Sequence, residues 1–427
     1  MNAPEVTVIT GTPRRPAERR TPSLPRERGT DAGETVRADR PWRIVGQGAA
    51  ALAAGMGVGR FAYTPILPLM HAQAGLPARL GAELATANYI GYLLGAIAAI
   101  VAPSLFVSRR ALRLSLTILV VTPALMPITH LGTVWALLRI VAGVASALIF
   151  VIAADAVLTG LRGHAHHLAG WAFGGIGAGI ALSGILVAIL RTTGTWQQAW
   201  WTTAALTGVF AALAWRLEAG PALPRRSPAP PRSRDAPGPR WFVALLASYT
   251  FEGTGYIIAG TFLVAAIDQT APGWVGSGAW ILAGIAALPS TALWAWLSRI
   301  WSRPALLLVA LVVQAVGIAL PALTGGIVAA LVAATLFGAT FLGVATLTLA
   351  AGAHLRVPRA VAILTTGYSV GQILGPVIVT PLLRHGYHSA LLVGAALVAL
   401  AAAAAGALRH RFPHHLGPLP RRVGAAR

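Results

Sequence analysis

Residues 44–69 read IVGQGAAALAAGMGVGRFAYTPILPL and carry a single charge, Arg60. As a helix rising about 1.5 Å per residue, such a run spans a hydrocarbon core about 30 Å thick. An arginine at that depth needs water or a counter-charge. The pattern recurs along the chain. Apolar runs near 44–69, 80–103, 111–130, 132–157, 166–190, 196–217, 241–267, 274–297, 304–323, 326–351, 360–383 and 387–408 predict twelve transmembrane helices. The narrowest break lies between the third and fourth runs, where His130, Leu131 and Gly132 mark a turn.

Composition supports a membrane solvent. Of 427 residues, 56% are hydrophobic and 11% charged, whereas soluble proteins carry roughly a quarter charged residues. Mean hydropathy is +0.70. With no cysteine, disulfides, thiolate metal sites and cysteine nucleophiles are excluded. The net charge of +21 comes from 33 basic residues, all arginine. In a soluble domain that excess would point to nucleic acid. Here it sits in tails and connectors, so no nucleic-acid partner is expected and the charge reads as topology.

An even number of spans puts both termini on one side. Connectors on that side hold fourteen arginines; the opposite connectors hold Arg79, Arg191 and Arg384. This bias predicts cytoplasmic termini in the cytoplasmic (inner) membrane of a bacterium. Residues 1–41, rich in Pro and Arg, read as a disordered tail. The pairs Arg14-Arg15 and Arg19-Arg20 lack the apolar run of a twin-arginine signal. The Pro- and Arg-rich stretch 218–240 reads as a cytoplasmic linker, and 409–427 as a second tail. The linker divides the spans into six-helix bundles at 42–217 and 241–408. A shift of 196 residues supports the division, laying Gly59 on Gly255, Gly175 on Gly371 and Gly179 on Gly375.

Gly57-Val58-Gly59-Arg60-Phe61-Ala62-Tyr63-Thr64-Pro65 in the first span and Ala87-Asn88-Tyr89-Ile90-Gly91-Tyr92 in the second closely resemble the YbfB/YjiJ branch of the major facilitator superfamily. Phe251-Glu252-Gly253-Thr254-Gly255-Tyr256 and Gly371-Gln372-Ile373-Leu374-Gly375-Pro376 extend the resemblance over roughly 44–408. It implies an all-α membrane protein with twelve helices in two pseudo-symmetric six-helix bundles, and a secondary transporter. Parallel repeats suit two bundles rocking about a midplane site. Arg139-Ile140-Val141-Ala142-Gly143 resembles the superfamily's Arg-x-x-x-Gly motif associated with proton coupling, with Ala142 where Gln is common. The connector Ser104–Arg110 departs from the usual gate signature, lacking both Asp and Gly.

Glu252 is the outstanding acid, near the middle of the seventh span. It reads either as the proton carrier or as a static interhelical contact. Arg60 cannot give up its proton, and its fork suits a carboxylate or phosphate. It reads as a substrate anchor, as a switchable partner of Glu252, or as half of a permanent ion pair. The resemblance implies that Arg60, Arg139 and Glu252 converge in a central cavity. Tyr63, Asn88, Tyr89, Tyr92, Tyr256 and Gln372 are candidate substrate contacts, although such groups also serve as interhelical hydrogen bonds. Asp155 is expected to latch the cytoplasmic end with Arg109 or Arg110. The histidines at 164, 166 and 167 lack accompanying acids, so no metal is expected, and no cofactor.

These readings predict a transporter that works as a monomer, moving a small organic solute by alternating access coupled to protons. Two cavity arginines against one glutamate favour an anion or an amphiphile. A membrane-embedded enzyme would need a second acid or a nucleophile with its base at depth. A receptor or scaffold on the same fold would be expected to add a soluble domain.

Overall fold

The computed structural model describes residues 41–218 and 239–412, apart from 162, 163, 165, 356, 358, 359, 410 and 411. Residues 1–40 of the expected tail 1–41, most of the linker and most of the tail after 409 lie outside the described residues, and Pro41 opens the first helix. The described helices belong to one unit, Pro41–Arg427.

No strand occurs among the described residues. The helices are α1 Pro41–Leu52, α2 Tyr63–Ala74, α3 Ala78–Val101, α4 Arg109–Leu125, α5 Gly132–Gly160, α6 His166–Thr193, α7 Trp196–Ala214, α8 Pro239–Asp268, α9 Gly273–Leu297, α10 Arg303–Leu323, α11 Gly326–His354, α12 Ala360–Val379 and α13 Tyr387–Arg409. Without water to satisfy the backbone, a membrane-embedded chain must close its hydrogen bonds within each helix. The ends follow local chemistry. Gly75, at φ 64°, closes α2 in the left-handed conformation. Thr195 and Gln198 form a capping box that starts α7. Ser108 caps α4 by accepting from the Ala111 amide at 3.1 Å.

Ten helices among the described residues are long and apolar enough to cross a membrane. Two of the twelve expected spans differ. The first is interrupted: α1 gives way to a π-helical turn, Ala53–Val58, then to a turn over 59–62, before α2 begins. Gly55, Gly57 and Gly59 weaken the helix here, and Gly57 backs directly onto Gly179 of α6. The sixth, α7, is a 19-residue helix beginning with Trp196, Gln197 and Gln198, and its polar start lowers its hydropathy. The break at His130–Gly132 is present, preceded by a 3-10 turn, Met126–Ile128.

Helices of the first half pack chiefly on one another, as α3 on α5 and α1 on α6. Those of the second half do the same, as α8 on α13 and on α12. Related glycines set related pairs. A Cβ on Gly179 would lie 2.8 Å from the Ala53 carbonyl oxygen of the π-turn after α1, and one on Gly375 2.6 Å from the Thr254 carbonyl oxygen of α8. The halves meet along α6–α9, α3–α12 and α2–α8. Small residues let the α6–α9 backbones approach: a Cβ on Gly177 would sit 2.5 Å from the Leu288 nitrogen.

Among the described residues no ion pair joins Asp155 to Arg109 or Arg110. Arg109 and Arg110 are exposed at the start of α4, and the ion pairs among the described residues are Arg79–Glu83 and Arg191–Asp268. Cations free to reach solvent gain little from a fixed pair, because ordering two long side chains offsets the attraction.

Candidate functional site

Arg60 lies in the turn that breaks the first span. It is only 3% exposed, yet no carboxylate among the described residues pairs with it. Three aromatic rings surround its guanidinium: Tyr92 at 4.4 Å, Tyr89 at 5.0 Å and Phe61 at 5.6 Å to the ring centroids. Ring faces carry negative quadrupole density, so they offset part of the desolvation of a buried cation. Two of its nitrogens, Nε and Nη2, have no hydrogen-bond partner.

Arg139 of α5 is the second buried cation, 4% exposed. Its guanidinium lies 4.7 Å from the Tyr63 ring centroid, and its Nε is also without a partner. It is near enough to Arg60 for the two charges to interact. A narrow cavity beside it is lined by Tyr63, Thr122, Trp200 and Thr203. Two uncompensated guanidinium groups thus share one region of the first half.

The candidate contacts divide into groups committed to the fold and groups with capacity left. Tyr63 donates its hydroxyl to the Gly81 carbonyl at 2.8 Å. Asn88 donates to the Arg139 carbonyl at 3.0 Å, joining α3 to α5, while its Oδ1 is unpartnered. Tyr89 reaches across the halves to Thr261 Oγ1 at 2.8 Å. Thr261 donates to the Ile257 carbonyl, so Tyr89 is the donor. Thr64 donates to the Gly260 carbonyl, bonding residues 196 apart, the offset of the internal repeat.

On the second half, Gln372 Nε2 donates to the Tyr256 hydroxyl at 2.7 Å and leaves its Oε1 free. Tyr256 belongs to a stack of aromatic rings. Phe341 lies 6.2 Å away with planes 6° apart, Tyr368 lies 5.5 Å away at 15°, and Tyr368 stacks on Tyr249 at 4.3 Å. Phe61 meets Phe341 edge-on at 6.0 Å and so joins the stack to the aromatic surround of Arg60.

Glu252 does not join Arg60. Its carboxylate, wholly buried, accepts from Gln314 Nε2 of α10 at 3.4 Å, and Oε2 has no partner. The reason is helix phase. Thr261, which faces the first half, is nine residues on, and nine steps of about 100° put it on the opposite side of α8. The carboxylate therefore points into the second half. The convergence of three charges is reduced to two arginines, with the acid displaced to the α8–α10 interface.

Sequence reasoning missed the contacts at the other end of the molecule. Arg191 Nη1 of α6 bonds Asp268 Oδ2 of α8 at 2.8 Å. His71 Nε2 meets the Tyr387 hydroxyl at 2.7 Å, and His71 Nδ1 bonds the Leu76 carbonyl. Opposite charges at the ends of spans from different halves were the available signal. Of the aromatic stack only Tyr256 stood out, because Phe337 and Phe341 look like any apolar residue of a span.

The family described as "Uncharacterised MFS-type transporter YbfB" matches residues 52–406. Among solved structures, the crystal structure of an aspartate-to-alanine mutant of the nucleoside transporter NupG is similar with a TM-score of 0.64 at 14% sequence identity, over 85% of this chain and 99% of that one. No curated protein matches.

Proposed function

The chain belongs to the YbfB-type family of the major facilitator superfamily, and on that premise we propose that it is a secondary transporter carrying a small organic anion across the cytoplasmic membrane of a bacterium. The observation that carries this reading is Arg60: a buried cation with two unpartnered nitrogens and no acid paired with it among the described residues. Arg139 adds a second positive charge within range. An anion entering from water would supply both the missing charge and the missing acceptors. The similarity to a nucleoside transporter concerns the fold alone, and its substrate is not carried over.

Transport proceeds by rocking of 42–217 against 241–408, with the linker 218–240 and both termini on the cytoplasmic side, as the arginine bias favours. The working unit is the monomer. Glu252 carries the proton. Its single amide partner at 3.4 Å leaves the carboxyl without a cation, so a proton is the simplest way to remove its charge at that depth. Because Gln314 and not Arg60 holds it, coupling runs through the packing of the second half rather than by competition for one guanidinium.

The test is uptake of organic anions into proteoliposomes with and without an imposed pH gradient. Accumulation driven by the gradient supports the reading. Uptake of neutral solutes alone overturns the anion assignment, and indifference to the gradient overturns proton coupling.

A further inference from the structure

From the aromatic stack and two unpaired polar atoms on α12, we infer that the anion is a hydroxylated aromatic carboxylate; this rests on the anion-transporter reading above. Its carboxylate meets Arg60, its ring lies against the rings where the two halves join, and its hydroxyl meets Gln372 and Ser369.

Three observations support that assignment. First, the charge anchor is itself ringed by Tyr89, Tyr92 and Phe61, and Phe61 meets Phe341 of the second half edge-on at 6.0 Å. A ligand bound to Arg60 therefore has aromatic surface on both sides of the junction. Second, the rings across the junction are close to parallel: Tyr256 lies within 15° of Phe337, Phe341 and Tyr368. Aligned faces favour a flat guest over a round one, because offset stacking adds to simple burial. Third, two buried polar atoms on the helix that carries Tyr368 are unpaired. Ser369 Oγ and Gln372 Oε1, one turn apart on α12, have no partner although both residues are 1% exposed or less. The large majority of buried side-chain polar atoms in folded proteins have a partner. These two complement a hydroxyl, which both donates and accepts.

The rings of a packed core would look similar except for those orphaned atoms, and ligand chemistry separates the two. The full-length protein in detergent is titrated with para-hydroxybenzoate, benzoate, cyclohexanecarboxylate, para-hydroxybenzyl alcohol and uridine, with binding read as a rise in unfolding temperature. The expected order is para-hydroxybenzoate tightest, and cyclohexanecarboxylate about tenfold weaker than benzoate for want of a ring face. Gln372→Leu should abolish the advantage of para-hydroxybenzoate over benzoate. Arg60→Gln should remove the preference for the acid over the alcohol. Equal binding of benzoate and cyclohexanecarboxylate overturns the aromatic assignment and leaves the anion transporter standing. Binding of uridine with none of the carboxylates overturns both, and so does a failure of every carboxylate at millimolar concentration.

Discussion

At the scale of single residues, Arg60 shows how a membrane site keeps a charge without an acid. The rings of Tyr89, Tyr92 and Phe61 hold the guanidinium, yet its unpartnered nitrogens keep hydrogen-bonding capacity in reserve. Removing the charge by Arg60→Gln should weaken anion binding by about 1.5–3 kcal/mol, roughly ten- to a hundredfold, as read by titration. Arg60→Lys should recover only part of that, since an ammonium lacks the planar fork. Glu252 behaves differently. Glu252→Gln keeps an amide that can still pair with Gln314, so folding should survive. Gradient-driven accumulation should vanish while substrate exchange persists; accumulation that continues would show Glu252 to be structural. Both residues stood out in the sequence because a charge inside an apolar run is conspicuous. Their pairing did not follow, because composition gives the depth of a residue but not the direction in which its helix turns it. Thr261 and Gly260 settle that direction only through contacts with a different part of the chain.

At the scale of elements, the α6–α9 seam is the longest junction between the halves and depends on missing side chains. A Cβ on Gly177 would lie 2.5 Å from the Leu288 nitrogen and 2.6 Å from the Gly284 oxygen, both backbone atoms that cannot step aside. Gly177→Val should therefore cost about 1–3 kcal/mol and lower the unfolding midpoint. Gly406→Ala is the matched control. Nothing lies within 4 Å of its added Cβ, so helix propensity alone applies and stability should rise by about 0.5–1 kcal/mol. Apolar length made the helices legible, down to the turn at His130–Gly132. The break in the first span was not, although its three glycines were in plain view. Glycine permits a π-turn, but the close approach of Gly57 to Gly179 fixes where it falls, and that is a tertiary fact.

At the scale of the whole molecule, contacts between the halves tie the end of the bundle carrying Ala74 and Tyr387. The His71 imidazole bonds the Leu76 carbonyl through Nδ1 and the Tyr387 hydroxyl through Nε2. With Nδ1 donating to that carbonyl, Nε2 accepts from Tyr387. Protonation of the ring would remove the Nε2 acceptor, so the contact should weaken as pH falls. A cysteine placed at Leu263 should become more reactive on acidification, and Tyr387→Phe should flatten that dependence. Orientation is checked with two further cysteines. Ala271→Cys should react with an impermeant reagent in intact cells, and Ser233→Cys only after the inner face is exposed; the reverse pattern would invert the topology. The jointed first span also bears on how motion travels. A straight rod clamped at one end swings as a whole, so opening the far end would tear the near end from its neighbours. Two short rods joined at a soft elbow need not do so. The lower rod can stay docked through Val45 and Ala172 while the upper one, with Tyr63 and His71, tilts alone. Spin labels near 45 and 172 should hold their spacing when ligand is added, and labels near 66 and 263 should not.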